Sequence, residues 1–349
     1  MQIFKIILII IAVFVLLFII VGYALSAQGH QGPKTNHFDG KTFINPTGIP
    51  ANGLKEVLKY VTTRDPEPWK RNYETYVRDT PLGQVDSTQV QVTFVNHSTF
   101  IIQYDGHTVL TDPVWSKRCS PVQFAGPARF RPPGVRYEDI PSVDLVVISH
   151  NHYDHLDKVT IQNLINDHNP KFIVPLGLDH LIRKWGATQV EALDWWQTSK
   201  IKALSVQSVP ANHFTSRGTF DRDQTLWCGY ILEMQGHKIY FAGDTGYGEI
   251  FKEIGNRVGP IDVSLIPIGA YLPRWFMSPI HVSPKESVRI HKDVKSKHSI
   301  GMHFGTFALA DDGPDRPIID LAQERIDQNI AEEDFVVPDE GHSYAFSLK

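Results

Sequence analysis

Cysteine is scarce in this 349-residue chain, and an excess of positive charge is absent. The two cysteines, Cys119 and Cys228, are far apart and form no C-x-x-C pattern. They therefore predict two buried free thiols rather than a disulfide framework or a thiolate zinc site. The formal net charge of -4 gives no basic field, which argues against nucleic acid as a partner. With 42% hydrophobic and 21% charged residues, the composition is that of a globular protein with a sizeable core.

Charge is also missing from the first part of the chain. No Asp, Glu, Lys or Arg occurs between Lys5 and Lys34, and the run from Ile6 to Tyr23 is almost wholly aliphatic or aromatic. A membrane-spanning helix needs about 20 apolar residues and a secretory signal roughly 7–15, so residues 1–27 are expected to form a single-pass transmembrane anchor or uncleaved signal. The alternative is a signal peptide that is cleaved near "ALSA". The positive-inside tendency would place the rest of the chain on the non-cytoplasmic side.

The rest of the chain divides into a short connecting segment and one large domain. Residues 28–53 are rich in Gly, Pro, Asn and His without an apolar period, which predicts a tether. Residues 54–349 alternate short apolar runs with longer amphipathic ones, the pattern of a single layered α/β domain. The strands are expected at 90–96, 99–105, 107–112, 144–149, 171–176, 201–210, 228–234, 238–244, 262–268 and 298–304. The helices are expected at 156–168, 177–186, 247–256, 284–295 and 317–329.

A dense group of metal-binding residue types follows the apolar run "VDLVVI". In "SHNHYDHLD", the residues His150, His152, Asp154 and His155 form an H-x-H-x-D-H pattern at a strand end. The first two imidazoles can converge on one ion, while the aspartate and the last histidine turn towards a neighbouring point. Imidazole nitrogen and carboxylate oxygen suit Zn²⁺. The pattern therefore predicts one loop that contributes to two metal sites.

Three further side chains follow other predicted strands. His213 comes after "IKALSVQSVPAN", Asp244 ends "KIYFAGD" before a glycine turn, and His303 lies in "HSIGMHF". Each has an ordinary alternative: a turn residue, a helix N-cap and a buried core histidine, respectively. In this order after H-x-H-x-D-H, the three together predict the remaining ligands, with Asp244 as the carboxylate that bridges both ions.

Taken together, these blocks resemble one enzyme family. The segments "NHST", "LTDP", "SHNHYDHLD", "FAGDTGY", "PIGAYLPRWFM", "HVSPKESVRIH" and "HFGTFALADD" are similar to those of the N-acylphosphatidylethanolamine-hydrolysing phospholipase D family, within the metallo-β-lactamase fold superfamily. They run from about Asn96 to Asp312 and so cover nearly the whole predicted domain. The resemblance implies an αββα sandwich with a dinuclear metal site at one edge, here preceded by an N-terminal membrane helix.

The resemblance also implies the roles of individual residues. The implied ligands are His150, His152 and His213 for one Zn²⁺, Asp154, His155 and His303 for a second, and Asp244 between the two. Tyr153 and His281 match positions that bind the substrate in that family, although Tyr153 could instead pack beneath the loop and His281 could cap a helix. The chain departs from the family in its apparent anchor and at Ile280, where a polar side chain is expected. A phospholipid membrane and a homodimer are the implied partners.

The implied reaction is hydrolysis of N-acylphosphatidylethanolamine to N-acylethanolamine and phosphatidic acid. Two Zn²⁺ ions about 3.5–4 Å apart would share a bridging hydroxide that attacks phosphorus. Asp154 or a water on the metal is expected to assist the leaving alkoxide, and the stretch 271–277 to line an acyl groove. One alternative keeps the site but changes the substrate to another ester, lactone or phosphodiester. Another is a non-catalytic, zinc-stabilised membrane binding protein.

Overall fold

A computed structural model describes residues 2–70, 78, 82–202 and 204–347. Its strands are β1 Gln89–Asn96, β2 Thr99–Tyr104, β3 His107–Thr111, β4 Leu145–Val147, β5 Lys171–Pro175, β6 Val190–Leu193, β7 Thr198–Ile201, β8 Leu204–Val209, β9 Gly229–Met234, β10 His237–Phe241, β11 Ile261–Pro267, β12 Ser296–Met302, β13 Phe335–Val336 and β14 Ser343–Ser347. Its α-helices are α1 Gln2–Leu25, α2 Leu54–Thr63, α3 Lys158–Asp167, α4 Asp179–Lys184, α5 Ile250–Arg257, α6 Arg274–Met277, α7 Pro284–Asp293 and α8 Arg316–Gln328.

The described strands form two seven-stranded sheets. The first has the order β14-β1-β2-β3-β4-β5-β6 and the second β13-β12-β11-β10-β9-β8-β7. In each sheet, antiparallel pairs lead into a parallel part, β3 to β6 in the first and β10 to β13 in the second. Every residue of β2 and β4 is buried, as expected for strands covered on both faces.

The core lies between the sheets, with helices outside. Phe94 and Phe100 of the first sheet share one apolar cluster with Tyr230 and Phe241 of the second. A separate cluster packs α3 and α4 against the outer face of the first sheet. This arrangement confirms the predicted αββα sandwich.

Helix caps hold the helices next to the predicted metal loop. The Asp157 carboxylate accepts from the Val159 backbone N–H at 3.2 Å and starts α3 two residues after the H-x-H-x-D-H pattern. Helix α7 begins with Pro284 at its first turn and a capping box between Ser283 and Glu286. Both caps are local in sequence, and the helices that they start lie within the predicted ranges.

The predicted elements agree with the structure apart from one strand and several short segments. The strand predicted at 201–210 is present as β8, but it begins at Leu204, because Lys202 takes a left-handed φ of 54° and the chain reverses between β7 and β8. The five predicted helices are present as α3, α4, α5, α7 and α8. Helices α2 and α6 and the strands β6, β7, β13 and β14 were not predicted.

The first helix is exposed along most of its length, whereas the segment after it packs against the domain. Within α1, Phe4–Leu25 is long and apolar enough to cross a membrane by length and composition, with a mean hydropathy of 3.4, and a signal sequence would meet the same criterion. The predicted tether lies along the domain. Its Phe38 and Phe43 are buried against Leu226 and Trp227, and the Phe43 N–H donates to the Asp223 carbonyl at 2.7 Å.

Candidate metal centre

Loops from both sheets bring polar side chains to one edge of the sandwich. The loop after β4 carries His150, and the segment after β8 carries His213. Asp244 follows β10 and His303 follows β12. Because the carboxyl ends of neighbouring parallel strands open at the same edge, side chains placed there can converge. The structure brings all seven predicted ligands together at this edge.

A glycine makes room for the central aspartate. Gly243 has a left-handed φ of +61°, and a Cβ built on it would lie 2.8 Å from the Ser149 Cβ. A side chain there would therefore combine backbone strain with a clash. This close approach places Asp244 beside the loop that begins at Ser149.

One carboxylate oxygen is the geometric centre of the site. The Oδ2 atom of Asp244 lies near the ring nitrogens of five histidines: His155 Nε2 at 3.1 Å, His303 Nε2 at 3.1 Å, His213 Nε2 at 3.7 Å, His150 Nε2 at 3.9 Å and His281 Nδ1 at 4.0 Å. The Asp244 side chain is only 2% exposed. A single buried oxygen among this many nitrogens is the position expected of a carboxylate shared between two cations.

The remaining distances separate the histidines into two groups. In the first group, His152 Nδ1 lies 2.9 Å from His150 Nε2 and 3.2 Å from His213 Nε2. In the second, Asp154 Oδ2 lies 3.4 Å from both His155 Nε2 and His303 Nε2. The first group has three nitrogen donors, and the second combines nitrogen with a carboxylate. These are the two ligand sets that the sequence predicts, and their binding of metal remains a prediction.

Backbone and side-chain acceptors orient several of the imidazoles. His213 Nδ1 lies 3.0 Å from the Ile280 carbonyl, to which it can donate, so that its Nε2 faces Asp244. The Ile280 main chain makes this contact, so its apolar side chain does not disturb it. His155 Nδ1 lies 2.7 Å from Asp112 Oδ2, which fixes its Nε2 towards the centre. Such outer contacts hold a ligand histidine in the tautomer that leaves one nitrogen for metal.

Sequence reasoning missed two residues of this site. His97 places its Nε2 3.1 Å from Asp154 Oδ2, and it lies in the turn between β1 and β2 with a left-handed φ of 47°. Asp112 follows β3, is fully buried and accepts from the Ser149 backbone N–H at 2.7 Å as well as from His155. Their only sequence signal is a polar residue directly after a buried strand, within "NHST" and "LTDP".

Burial and neighbouring charges divide the site histidines by pKa. Burial lowers the pKa of His152 to about 4 and that of His213 to about 3. Burial opposes the charged form of His303 as well, but attraction to Asp244 and Asp154 raises its pKa to about 9. The pKa of His155 is also raised well above its usual value, because Asp244 and Asp154 outweigh burial. Without a metal ion, these two cations are the counter-charges of the two aspartates.

The donor atoms at the centre fit divalent cations. Among the described residues, the buried Asp244 Oδ1 has no hydrogen-bond partner, and the His155 and His303 Nε2 atoms lie 3.1 Å from Asp244 Oδ2 as ion pairs without a hydrogen bond of good geometry. Buried polar atoms are normally paired, and atoms that point at one another without a bond indicate a missing ligand. Nitrogen and carboxylate donors in this number suit zinc and similar ions. The arrangement supports a divalent-metal site.

The two predicted substrate-binding residues make different contacts in the structure. His281 is next to Asp244, and its ring centroid is 5.2 Å from those of His213 and His303. Tyr153 contacts Arg217. Its hydroxyl donates to the Arg217 carbonyl at 3.0 Å, and the Arg217 guanidinium lies 4.0 Å above its ring. His281 is therefore placed to reach a ligand bound next to Asp244, whereas the Tyr153 hydroxyl is held by a backbone carbonyl.

The predicted acyl groove at 271–277 is mostly core. Tyr271, Phe276 and Met277 are buried, and Phe276 stacks on Tyr60 of α2 at 4.5 Å. Trp275 is the exposed aromatic residue of this stretch, with 42% of its surface accessible. It alone of these four aromatic and sulfur-containing side chains could line a groove.

Comparisons with known proteins agree with the fold and show the family. The family profile described as "Beta-lactamase superfamily domain" matches residues 107–304. An uncharacterised Mycobacterium tuberculosis protein is 45% identical over 230 residues, which cover 64% of this chain and 61% of that protein. The Caenorhabditis elegans N-acyl-phosphatidylethanolamine-hydrolyzing phospholipase D 1 is 41% identical over 233 residues, 62% of this chain and 64% of that enzyme. The matches thus span less than two thirds of these relatives.

A solved structure is similar in fold. The metallo hydrolase Igni18 of Ignicoccus hospitalis superposes with a TM-score of 0.59 at 23% identity, over 75% of this chain and 100% of that chain.

Proposed function

This chain belongs to the beta-lactamase superfamily, and from that premise we propose that it is a phosphodiesterase of phospholipase D type. As a metal-dependent hydrolase, it would cleave N-acylphosphatidylethanolamine to N-acylethanolamine and phosphatidic acid. The observation that carries the proposal is the position of Asp244 Oδ2 within 4.0 Å of five histidine nitrogens. The choice of substrate is supported by the 41% identity to the nematode phospholipase D.

Seven side chains would hold two divalent ions, which we take to be Zn²⁺. The ligands proposed are His150, His152 and His213 for one ion, Asp154, His155 and His303 for the other, and Asp244 for both. When bound, two such ions supply Lewis-acid stabilisation of a phosphate oxygen and an acidified water as the nucleophile. No serine or cysteine nucleophile is needed, so both buried cysteines stay outside the reaction.

Asp154 is the carboxylate that we assign to proton transfer. Its side chain is 13% exposed, whereas that of Asp244 is 2% exposed, so Asp154 is the one nearer to an incoming substrate. His97 holds Asp154 Oδ2 at 3.1 Å. The proton that leaves the attacking water can pass through this carboxylate to the departing alkoxide.

His281 would bind the phosphate of the substrate. Burial lowers its pKa to about 3, so its imidazole is neutral at pH 7 and carries one N–H. Its Nδ1 is buried and has no hydrogen-bond partner among the described residues. A neutral N–H can donate to a phosphate oxygen without adding a second positive charge next to the ions. We keep Tyr153 as a second, indirect contact that acts through the position of the loop.

Membrane attachment fits a lipid substrate. An anchor at α1 would confine the site to the surface where a phospholipid lies. We propose that the catalytic domain lies on the non-cytoplasmic side.

The experiment is lipid product analysis by mass spectrometry on metal-loaded, full-length protein. Wild type is expected to release N-acylethanolamine from N-acylphosphatidylethanolamine in mixed micelles, but not to cleave phosphatidylcholine. Asp244→Asn should abolish release, because a neutral amide cannot bridge two cations. Asp105→Asn is the matched control, since Asp105 is an exposed turn residue with a φ of 46° that asparagine tolerates. Wild type that leaves this lipid intact while it hydrolyses a lactone or a generic phosphodiester would overturn the substrate.

A further inference from the structure

A cavity lies beside the last turn of α1, outside the candidate metal centre. Its volume is about 300 Å³, and its lining includes Leu25 of α1, Lys158 at the start of α3 and Lys184 at the end of α4. Trp185 and Arg217 also line it. The cavity is thus bordered by the apolar helix on one side and by two amino groups on the other.

Hydrogen bonds fix the end of α1 to the domain at this cavity. The Ala27 N–H donates to the Asp221 carboxylate at 2.7 Å, and the Phe220 N–H donates to the Ser26 hydroxyl at 3.2 Å. The chains approach so closely that a Cβ on Gly218 would lie 2.3 Å from the Ser26 Oγ. The domain is therefore held directly at the point where the helix ends.

This attachment sets the depth of the cavity relative to a bilayer. Phe4–Leu25 comprises 22 residues, or about 33 Å of helix, which matches a hydrocarbon core of about 30 Å. The side chains from Phe4 to Val21 are exposed, so the domain does not cover the span. If Phe4–Leu25 spans a bilayer, the cavity that Leu25 lines lies in the headgroup layer, which is roughly 5–8 Å thick on each side.

The charges around the cavity suit an anion. Lys158 and Lys184 are exposed and make no ion pair within the described part of the chain. Asp157 also lines the cavity, but its carboxylate accepts from the Ser116 and Thr160 hydroxyls at 2.8 and 2.6 Å. Arg217 adds a third positive charge, stacked between the rings of Tyr153 and Trp185 at 4.0 and 5.1 Å.

Apolar side chains flank the same place. Phe220 packs on Tyr23 of α1 at 4.5 Å between ring centroids and is 38% exposed. Phe124 follows the cavity-lining Gln123 and is 85% exposed. Lysines at headgroup depth beside exposed aromatic side chains are the composition of a surface that contacts anionic lipid.

We propose that this cavity binds the phosphate of an anionic membrane phospholipid, with Lys158 and Lys184 as the main contacts. The bound lipid is a membrane component rather than the molecule that is hydrolysed, because none of the seven proposed metal ligands lines the cavity. The site holds the domain against an anionic membrane surface. It does not depend on the nature of the reaction at the metal centre.

The test is native mass spectrometry of detergent-solubilised full-length protein treated with a chelator. The metal centre then cannot bind a phosphate through metal, so failure of the proposed reaction does not affect the result. The protein is titrated separately with didecanoyl phosphatidylglycerol and with didecanoyl phosphatidylcholine. Glycerol 3-phosphate is tested as a soluble phosphate ester without acyl chains. Wild type is expected to retain phosphatidylglycerol in preference to phosphatidylcholine. Lys158→Gln and Lys184→Gln should each weaken this about five-fold, since a lysine near a membrane surface contributes about 1 kcal/mol.

Two further variants separate binding from folding. Gln162→Trp fills the cavity without a change of charge and should also reduce retention. Lys200→Gln removes an exposed lysine outside the cavity and should not. Equal retention of both lipids by wild type would overturn the proposal. So would unchanged retention of phosphatidylglycerol by a variant that carries both Lys158→Gln and Lys184→Gln. Glycerol 3-phosphate bound as tightly and with the same lysine dependence would overturn the lipid source and assign the cavity to a soluble phosphate ester.

Discussion

Asp112 provides the sharpest test of how the fold orients a metal ligand. The carboxylate is fully buried, accepts from His155 Nδ1 at 2.7 Å and accepts from both the backbone N–H and the hydroxyl of Ser149. Burial raises the pKa of Asp112, and the three donors offset only part of that effect. Asp112→Asn replaces one oxygen with an NH₂ group, which faces a donor in either orientation. With its oxygen towards the Ser149 N–H, the amide turns its NH₂ to His155 Nδ1; in the other orientation it offers His155 only a neutral oxygen. Either way, the proton is held less firmly on Nδ1, and Nε2 is less available for metal.

The expected loss of metal affinity is 10–100-fold, the usual effect of removing an outer contact to a ligand histidine, or about 1.4–2.7 kcal/mol. The assay is competition for Zn²⁺ with a chromophoric chelator, with Asp105→Asn as the control. Nitrogen chemical shifts of His155 report its tautomer independently of activity. A folded Asp112→Asn protein that binds metal within two-fold of wild type would refute the reasoning.

Two further predictions concern the pH dependence of metal binding and the stability contributed by the segment after α1. In metal-free protein His303 has a pKa raised to about 9 and that of His155 is also raised, so both are protonated at pH 7.5 and metal binding must release protons. Calorimetry in buffers of different ionisation enthalpy should show this proton release, and the affinity for metal should fall as the pH drops below about 9. A binding enthalpy that is the same in all buffers would contradict the proton release. Phe43→Ala should cost about 3–5 kcal/mol of unfolding free energy in a urea titration, because Phe43 is 4% exposed, whereas the 85% exposed Phe124→Ala should cost less than about 0.5 kcal/mol. Equal effects of the two changes would show that the segment is a loose tether.

The side chains that converge at the candidate metal centre could be found from the sequence because they are closely spaced or directly follow strongly apolar strands. His150, His152, Asp154 and His155 lie within six residues, and that density has few explanations other than metal binding. Asp244 and His303 each follow a strongly apolar run, so the sequence predicts that both lie at the same edge of the sheet. The approach of Asp244 Oδ2 to nitrogens from four separate loops is a product of the tertiary fold and of Gly243.

Other parts could not be predicted because they depend on distant contacts. His97 and Asp112 are single polar residues with no spacing pattern, and they reach the site only because β1 to β3 are placed next to β4. Strand β14 is half exposed and pairs with β1 from the far end of the sequence, Gln89 opposite Ser347. Helix α2 shows an apolar period, but it lies between Pro-containing segments that are typical of connecting loops. Local patterns cannot report such pairings.

The measurement that tests the central claim most directly is the metal content of purified full-length protein after exhaustive dialysis, by inductively coupled plasma mass spectrometry. The account predicts two divalent ions per chain for wild type and for Asp105→Asn, and fewer than one for Asp244→Asn, which loses the shared ligand. A wild-type chain without bound metal, or an Asp244→Asn chain that keeps two ions, would contradict it.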